Sequence, residues 1–194
     1  MKTCPFLISV ISLAIFSPLL TGADWPSWGK DHSRNMVSSE KGLTFKFKPG
    51  EFNEDESVDL STTENIKWVA KLGSQSYGNV TIGEGKVIVG TNNESVRDSQ
   101  KKGDRGVVMC LDEVSGAFEW QLVIPKLGAG KVSDWEYIGV CSSAAIEKDR
   151  AYVVTNRCEV ICLDLEGLKN GNDGPYKDEE NYVRPKGALD LPNP

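Results

Sequence analysis

Short runs of β-branched and other apolar residues follow one another through the middle of the chain, separated by Gly, Asp and Asn. Runs of this length bounded by such turn residues are typical of β-strands. The pattern predicts four strands, at residues 79–82, 86–91, 106–112 and 118–123. Polar turns join most of them, so we expect an antiparallel meander.

The strand pattern occurs twice. Residues 81–92 align with residues 145–156 at a constant offset of 64, and residues 108–112 align with residues 160–164 at an offset of 52. The difference means that the first copy has 12 extra residues, which fall in the polar stretch 94–105 and predict a surface loop. An all-strand repeat of about 50 residues is typical of β-propellers and related arrays.

The turn before the fourth strand is the most specific local feature. Asp112 can close an Asx-type turn, and Gly116 can supply a positive φ. Trp120 follows at the start of the last strand, where a large ring can fill the space between neighbouring repeats. Trp68 occupies the matching position one repeat earlier, because residues 66–68 align with residues 118–120 at an offset of 52.

This pattern, D-x-x-[ST]-G-x-x-x-W from Asp112 to Trp120, resembles the tryptophan-docking repeat of quinoprotein-like (PQQ-like) β-propellers. The hairpin at residues 85–90 and the run at residues 106–111 precede it, as in that family. The opening Asp-Trp-Pro-Ser-Trp-Gly at residues 24–29 is similar to the mature start of exported members.

The resemblance implies an all-β fold: a partial PQQ-like β-propeller of about two four-stranded antiparallel blades, the second incomplete. Asp112, Gly116, Trp120 and Trp68 would be its structural blade-docking residues. The second copy departs from the family pattern, because Asp164 is followed by Leu-Glu-Gly and then by an Asn/Gly-rich stretch without a docking Trp.

The first 23 residues predict a signal peptide. Lys2 precedes an apolar run at residues 6–20, and small residues at 21–23 favour cleavage before Asp24. An uncleaved anchor and a buried helix are the alternatives. We therefore expect a signal peptide at 1–23, an amino-terminal lead at 24–64 and PQQ-like repeats at 65–194. The mature chain would be exported to the periplasm or the extracellular space, without a transmembrane helix.

Charge narrows the range of partners. The chain has 22 Lys and Arg against 28 Asp and Glu, a net charge of −6, and loss of Lys2 makes the mature chain one unit more negative. An acidic chain is a poor ligand for a phosphate backbone, so nucleic-acid binding is excluded as a general role.

Four cysteines remain after the predicted cleavage, and export would allow disulfides. Of the three pairings, Cys141 with Cys158 is preferred. Cys158 and Cys162 would lie about 13 Å apart on one strand at about 3.3 Å per residue, too far for a bond. Cys110 and Cys162, each in an apolar strand, are expected to be small buried groups. A zinc site is not expected, because the chain has no CxxC motif and His32 is distant in sequence.

Other candidate chemistry is sparse. We interpret His32 as an exposed side chain and residues 128–131, Gly-Ala-Gly-Lys, as a linker rather than a phosphate loop. Trp135 is expected to pack on a sheet edge rather than face a central channel. Four acidic residues are interpreted as a solvated loop rather than a cation site: Asp173, Asp178, Glu179 and Glu180.

The length of the chain limits the number of repeats that it can hold. At 52 residues per repeat, the mature chain holds about three repeats, whereas propellers close with about four to eight blades. We expect an amino-terminal fragment of a longer propeller; the alternative is a small complete domain that pairs with another chain. The preferred function is a non-catalytic scaffold or binding module, without a cofactor, whose partners are other exported or outer-membrane proteins. The alternative is part of a PQQ-dependent alcohol or sugar dehydrogenase holding PQQ and calcium, although none of its cofactor ligands can be assigned here.

Overall fold

The computed structural model describes residues 24–127, 135–175 and 177. The predicted signal peptide, residues 128–131 and three of the four acidic residues (Asp178, Glu179 and Glu180) lie outside this part of the chain. Within it the fold is all-β, as predicted, apart from one 3-10 turn at Leu60–Thr62. The strands form three antiparallel sheets.

The first sheet is a hairpin in the lead, made of β1 (Glu51–Phe52) and β2 (Val58–Asp59). The strand pattern that predicts the repeats does not extend to the lead. Its side chains are mostly exposed, including Phe45 and Phe52.

The second sheet has four strands in sequential order: β3 (Thr81–Gly83), β4 (Lys86–Asn92), β5 (Arg105–Asp112) and β6 (Phe118–Pro125). The predicted meander is therefore confirmed, with strand ends within two residues in most cases. A register shift between Cys110 and Leu111 places Cys110 opposite Trp120 and Leu111 opposite Phe118. This irregularity tightens the local twist just before the turn.

The third sheet has three strands in the order β7 (Ala145–Glu147), β8 (Arg150–Val154) and β9 (Val160–Asp164). It is the second copy of the strand pattern. β9 is an edge strand of this sheet in the described chain. Its position is that of β5 in the four-stranded sheet, but β5 pairs with a further strand, β6.

The four-stranded and three-stranded sheets pack face to face. Side chains from alternate positions of β4, β5 and β6 meet those of β7, β8 and β9 in one buried cluster. Ile88, Val108 and Cys110 contribute from the first of these sheets, and Ala151 and Val153 from the second. Burial of alternating apolar positions on facing sheets is the main stabilising contact of such a pair.

The opposite face of the four-stranded sheet is covered by residues 66–72, which we call the Trp68 segment. Val87, Val89 and Met109 point to this side, where Trp68, Ala70 and Leu72 pack against them. The apolar side chains recur at every second position, as in a β-strand, but the segment belongs to no sheet of the described chain.

The start of the lead joins the edges of the two packed sheets. Trp25 exchanges two backbone hydrogen bonds with Ile82 of β3, at 2.8 and 3.0 Å. The carbonyl oxygen of the next residue, Pro26, accepts a hydrogen bond from the Ile146 amide of β7 at 2.7 Å. We call Trp25 and Pro26 the edge clamp. No helix in the described residues has the length and apolarity needed to cross a membrane.

Candidate functional site

The turn between β5 and β6 is held by its first residue. The Asp112 carboxylate accepts hydrogen bonds from the Ser115 hydroxyl at 2.6 Å and the Ser115 amide at 2.7 Å. These bonds hold the pKa of Asp112 below its usual value. Gly116 follows with a φ of 71° and donates its amide to the Asp112 carbonyl at 2.8 Å. The aspartate and the glycine thus have the local conformations that the sequence predicts.

Trp68 lies directly on this turn. Its indole N–H donates to the Glu113 carbonyl oxygen at 3.0 Å. A Cβ added to Gly116 would lie 2.4 Å from the Trp68 ring, far inside van der Waals contact. The glycine therefore serves both the positive φ and the close approach of the ring.

The same arrangement occurs a second time, one repeat later. The Trp120 indole N–H donates to the Leu165 carbonyl oxygen at 2.9 Å, and Leu165 lies 45 residues after Trp120, as Glu113 lies 45 residues after Trp68. Gly167 has a φ of 64°, and a Cβ there would lie 2.6 Å from the Trp120 ring.

The second turn is one residue shorter than the first. Asp164 accepts the Glu166 amide at 2.8 Å, where Asp112 accepts Ser115. The sequence shows this departure from the first turn, but its pattern alone does not indicate that Trp120 lies on the second turn. The available signal was the constant spacing of 52 between both the tryptophans and the aspartates.

A group of charges surrounds the second contact. Lys86 of β4 lies 3.5 Å from Glu119 of β6 and 3.5 Å from Glu166 of the second turn. Lys169 also pairs with Glu119. The Lys86 and Glu119 side chains are each 12% exposed, so the pair within the four-stranded sheet is screened less than a surface pair. Glu166 and Lys169, which are about half exposed, connect this pair to the second turn.

A polar cluster lies where strands β4, β5 and β8 meet their loops. We call it the polar rim; its members are Asn92, Asn93, Asp104, Asn156 and Arg157. Asn92 is 2% exposed and donates to the Ser74 hydroxyl and the Tyr137 carbonyl, at 2.9 and 2.6 Å. Arg157 is 5% exposed and donates to the Lys126 carbonyl at 2.8 Å.

Two acceptors of the polar rim lack a partner among the described residues: Oδ1 of Asp104 and Oδ1 of Asn156, both buried. The other oxygen of Asp104 accepts the Tyr137 amide at 2.8 Å and lies 3.5 Å from the Lys126 ammonium. The polar rim was not predicted from the sequence. Its signal was the Thr-Asn pair that ends both copies of the hairpin, at residues 91–92 and 155–156.

The four described cysteines are thiols, and no disulfide joins them. The pairing of Cys141 with Cys158 therefore stays a prediction. Cys110 is buried as expected, and burial raises the pKa of its thiol to about 12. The expected burial of Cys162 is wrong: its side chain is exposed, because no further sheet covers the outer face of β9 in the described chain.

The remaining candidates do not form a site with one another. His32 is exposed, as expected. Trp135 is 65% exposed rather than packed on an edge, and its carbonyl accepts a hydrogen bond from Lys126 at 2.6 Å. Asp173 is exposed, and its carboxylate accepts a hydrogen bond from the Asn170 side-chain amide at 3.0 Å. Within the described residues no group of three or more His, Cys, Asp or Glu side chains is placed to hold a metal ion.

An open apolar groove of about 410 Å³ lies beside the Trp68 segment. The Trp68 segment forms one wall, the lead contributes Phe52 and Val58, and the four-stranded sheet forms the floor with Val87, Val89 and Leu111. Val69 is 48% exposed here, so the groove is open to solvent.

Comparison with known proteins gives no assignment: no family model matches the chain, and no curated protein matches it significantly. What the structure supplies is the twice-repeated contact of a tryptophan with a turn 45 residues further along the chain.

Proposed function

We propose that this chain is part of an exported PQQ-like β-propeller repeat protein and acts as a non-catalytic scaffold or binding module for other exported or outer-membrane proteins. The repeated tryptophan contact carries the proposal. Each repeat offers a turn that receives the tryptophan of the preceding repeat, so repeats can be added in one direction without a change of geometry.

The described sheets support this proposal in two further respects. Both are antiparallel meanders that begin with a three-residue strand, and they stack through alternating apolar positions. Two stacked units related by a sequence repeat are what a radial array of blades contains. In this proposal the four-stranded sheet is a complete blade and the three-stranded sheet an incomplete one.

The proposed role is that of a scaffold because the residues with recognisable tasks are all used in packing. Asp112 and Gly116 shape the first turn, and Trp68 and Trp120 lie on the first and second turns. Lys86 pairs with Glu166 of the second turn. In this proposal PQQ and calcium are not required for folding or for function.

The test is to purify the exported chain from the periplasm of a host that makes no PQQ. We expect Asp24 as the amino-terminal residue and a cooperative unfolding transition. Adding PQQ with calcium should leave the unfolding midpoint unchanged, since a ligand that binds the native state raises it by mass action. Saturable one-to-one binding with a raised midpoint would instead support the dehydrogenase hypothesis.

A further inference from the structure

The interface between the two stacked sheets has one side from each sheet. On the repeat alignment, the outer face of the three-stranded sheet is equivalent to the side that the four-stranded sheet contributes, and the outer face of the four-stranded sheet is equivalent to the other side. On the repeat alignment, Ile88, Val108 and Cys110, which face the three-stranded sheet, correspond to Tyr152, Val160 and Cys162. These equivalents lie on the outer face of the three-stranded sheet, where Tyr152 is 40% and Val160 76% exposed. This face thus has the apolar pattern of a surface that another sheet covers.

The outer face of the four-stranded sheet has the pattern of the other side of this interface. The Trp68 segment corresponds to β6, and it already packs on the four-stranded sheet as β6 packs on the three-stranded sheet. The backbone of residues 66–70, however, forms no backbone hydrogen bond within the described chain. Among the described residues, this segment therefore has no hydrogen-bonded neighbour, and β9 is an edge strand without a fourth strand.

We propose that a second copy of this chain joins these two ends: β9 of one copy pairs with the Trp68 segment of the next, and the outer face of the three-stranded sheet packs into the apolar groove. The pairing of β5 with β6 fixes the register. It aligns Val160 with Ala70, Ile161 with Val69 and Cys162 with Trp68 of the next copy. Edge strands that lack a partner commonly pair in this way.

Charge favours this contact. Lys67 takes the position of Glu119, and Arg150 takes the position of Lys86. Arg150 is already flanked by Asp164 at 3.0 Å and Asp149 at 3.5 Å, so the three groups carry a net negative charge. The Lys67 ammonium of the next copy would face this charge. The contact is head-to-tail, so it would generate either rings or open chains of copies.

A pair of cysteines tests the register directly. In the mature chain, with Cys141, Cys158 and Cys162 replaced by Ser, the double variant Val160→Cys with Ala70→Cys should form intermolecular disulfides under mild oxidation. The control, Val154→Cys with Ala70→Cys, places the first thiol on the same exposed face but one strand further away. We expect about tenfold more cross-linked product from the first pair. Equal yields from the two pairs would overturn the proposal.

Sedimentation of the mature chain without added cysteines tests association itself. The mass should increase with concentration up to about 100 µM, and Val160→Lys should leave a monomer, because it places a charge in the contact. Val96→Lys, at another exposed valine in the loop before β5, should associate like the parent chain. A parent chain that stays monomeric over this range would overturn the proposal, as would equal association of the two lysine variants.

Discussion

At the scale of single residues, the turns explain why certain amino acids occupy certain positions. Asp112 and Gly116 have roles that the sequence predicts, because an Asx turn and a positive φ are local properties. The contact between Gly116 and the Trp68 ring could not be derived from the turn alone, since it joins residues 48 positions apart in the chain. The same holds for Cys110 and Cys162, which occupy equivalent strand positions but differ in burial.

Gly116→Ala should destabilise the fold by about 2–4 kcal/mol, because the new methyl group meets the Trp68 ring and the residue must keep a positive φ. Gly85→Ala is the matched control: Gly85 has a φ of 74°, and nothing lies within 4 Å of an added Cβ. It should cost only about 1 kcal/mol. Urea unfolding of both variants measures the difference, and equal losses would show that the ring contact contributes nothing.

Cys110 should be alkylated by iodoacetamide about 100-fold more slowly than Cys162 in the native chain at neutral pH. It is buried and its thiol keeps the proton, whereas Cys162 is exposed. Peptide mass spectrometry after timed labelling gives both rates in one sample. Comparable rates would mean that the two packed sheets separate readily in solution.

The raised pKa of Cys110 also predicts a pH dependence of stability. An unfolded thiol loses its proton near pH 9.0, while the folded chain keeps it up to a pH of about 12. Between these two pH values the folded state binds more protons than the unfolded state. The stability that the protonated Cys110 thiol contributes is therefore lost as the pH rises through this interval. Cys110→Ala should flatten this part of the curve of unfolding free energy against pH; an unchanged slope would contradict the assignment.

At the scale of elements, the strand positions follow from alternation and turn residues, whereas the contacts of the lead do not. Nothing in the sequence pattern of residues 24–29 indicates that Trp25 and Pro26 join β3 to β7. Packing of the two sheets must first bring β3 and β7 close together before residues 25 and 26 can bond to both. The edge clamp is therefore a tertiary feature that uses a local extended conformation.

A chain that starts at residue 30 should show faster amide exchange at Ile82 and Ile146, about tenfold or more, because both amides donate to the edge clamp. The Val108 amide, in the centre of the four-stranded sheet, is the internal control and should be unaffected. Hydrogen exchange followed by nuclear magnetic resonance measures all three. Unchanged exchange at Ile82 and Ile146 would show that the clamp does not hold the edges in solution.

At the scale of the whole molecule, one aromatic contact lies at the boundary of the two stacked sheets, beside their shared apolar cluster. Trp120 packs against the cluster between the sheets and donates to Leu165 of the second turn. Trp68 makes the equivalent contact at the outer end, where the lead and the groove lie beyond it in the part of the chain that the structure describes. Removal of the two rings should therefore have different consequences, although their local contacts are alike.

Trp120→Ala should lower the free energy of unfolding by about 3–5 kcal/mol and uncouple the two sheets, so that unfolding becomes two transitions. Trp68→Ala removes the same kind of ring and should leave a single transition for the stacked sheets. Circular dichroism with fluorescence of the remaining tryptophans follows both in urea. A single transition in both variants would mean that the sheets stay coupled without the Trp120 ring.

The sequence by itself determined the strands of both copies, the antiparallel order of the first sheet and the conformation of the Asp112 turn, because alternation, turn chemistry and repeat spacing are local properties. Only the tertiary structure decided what Trp68 and Trp120 contact, which face of β9 is exposed and how Trp25 and Pro26 join the sheets. It also decided which buried oxygens of the polar rim have no partner among the described residues. These features depend on the relative placement of segments distant in the chain. That placement is set by the packing of whole sheet faces, which no single stretch of sequence specifies.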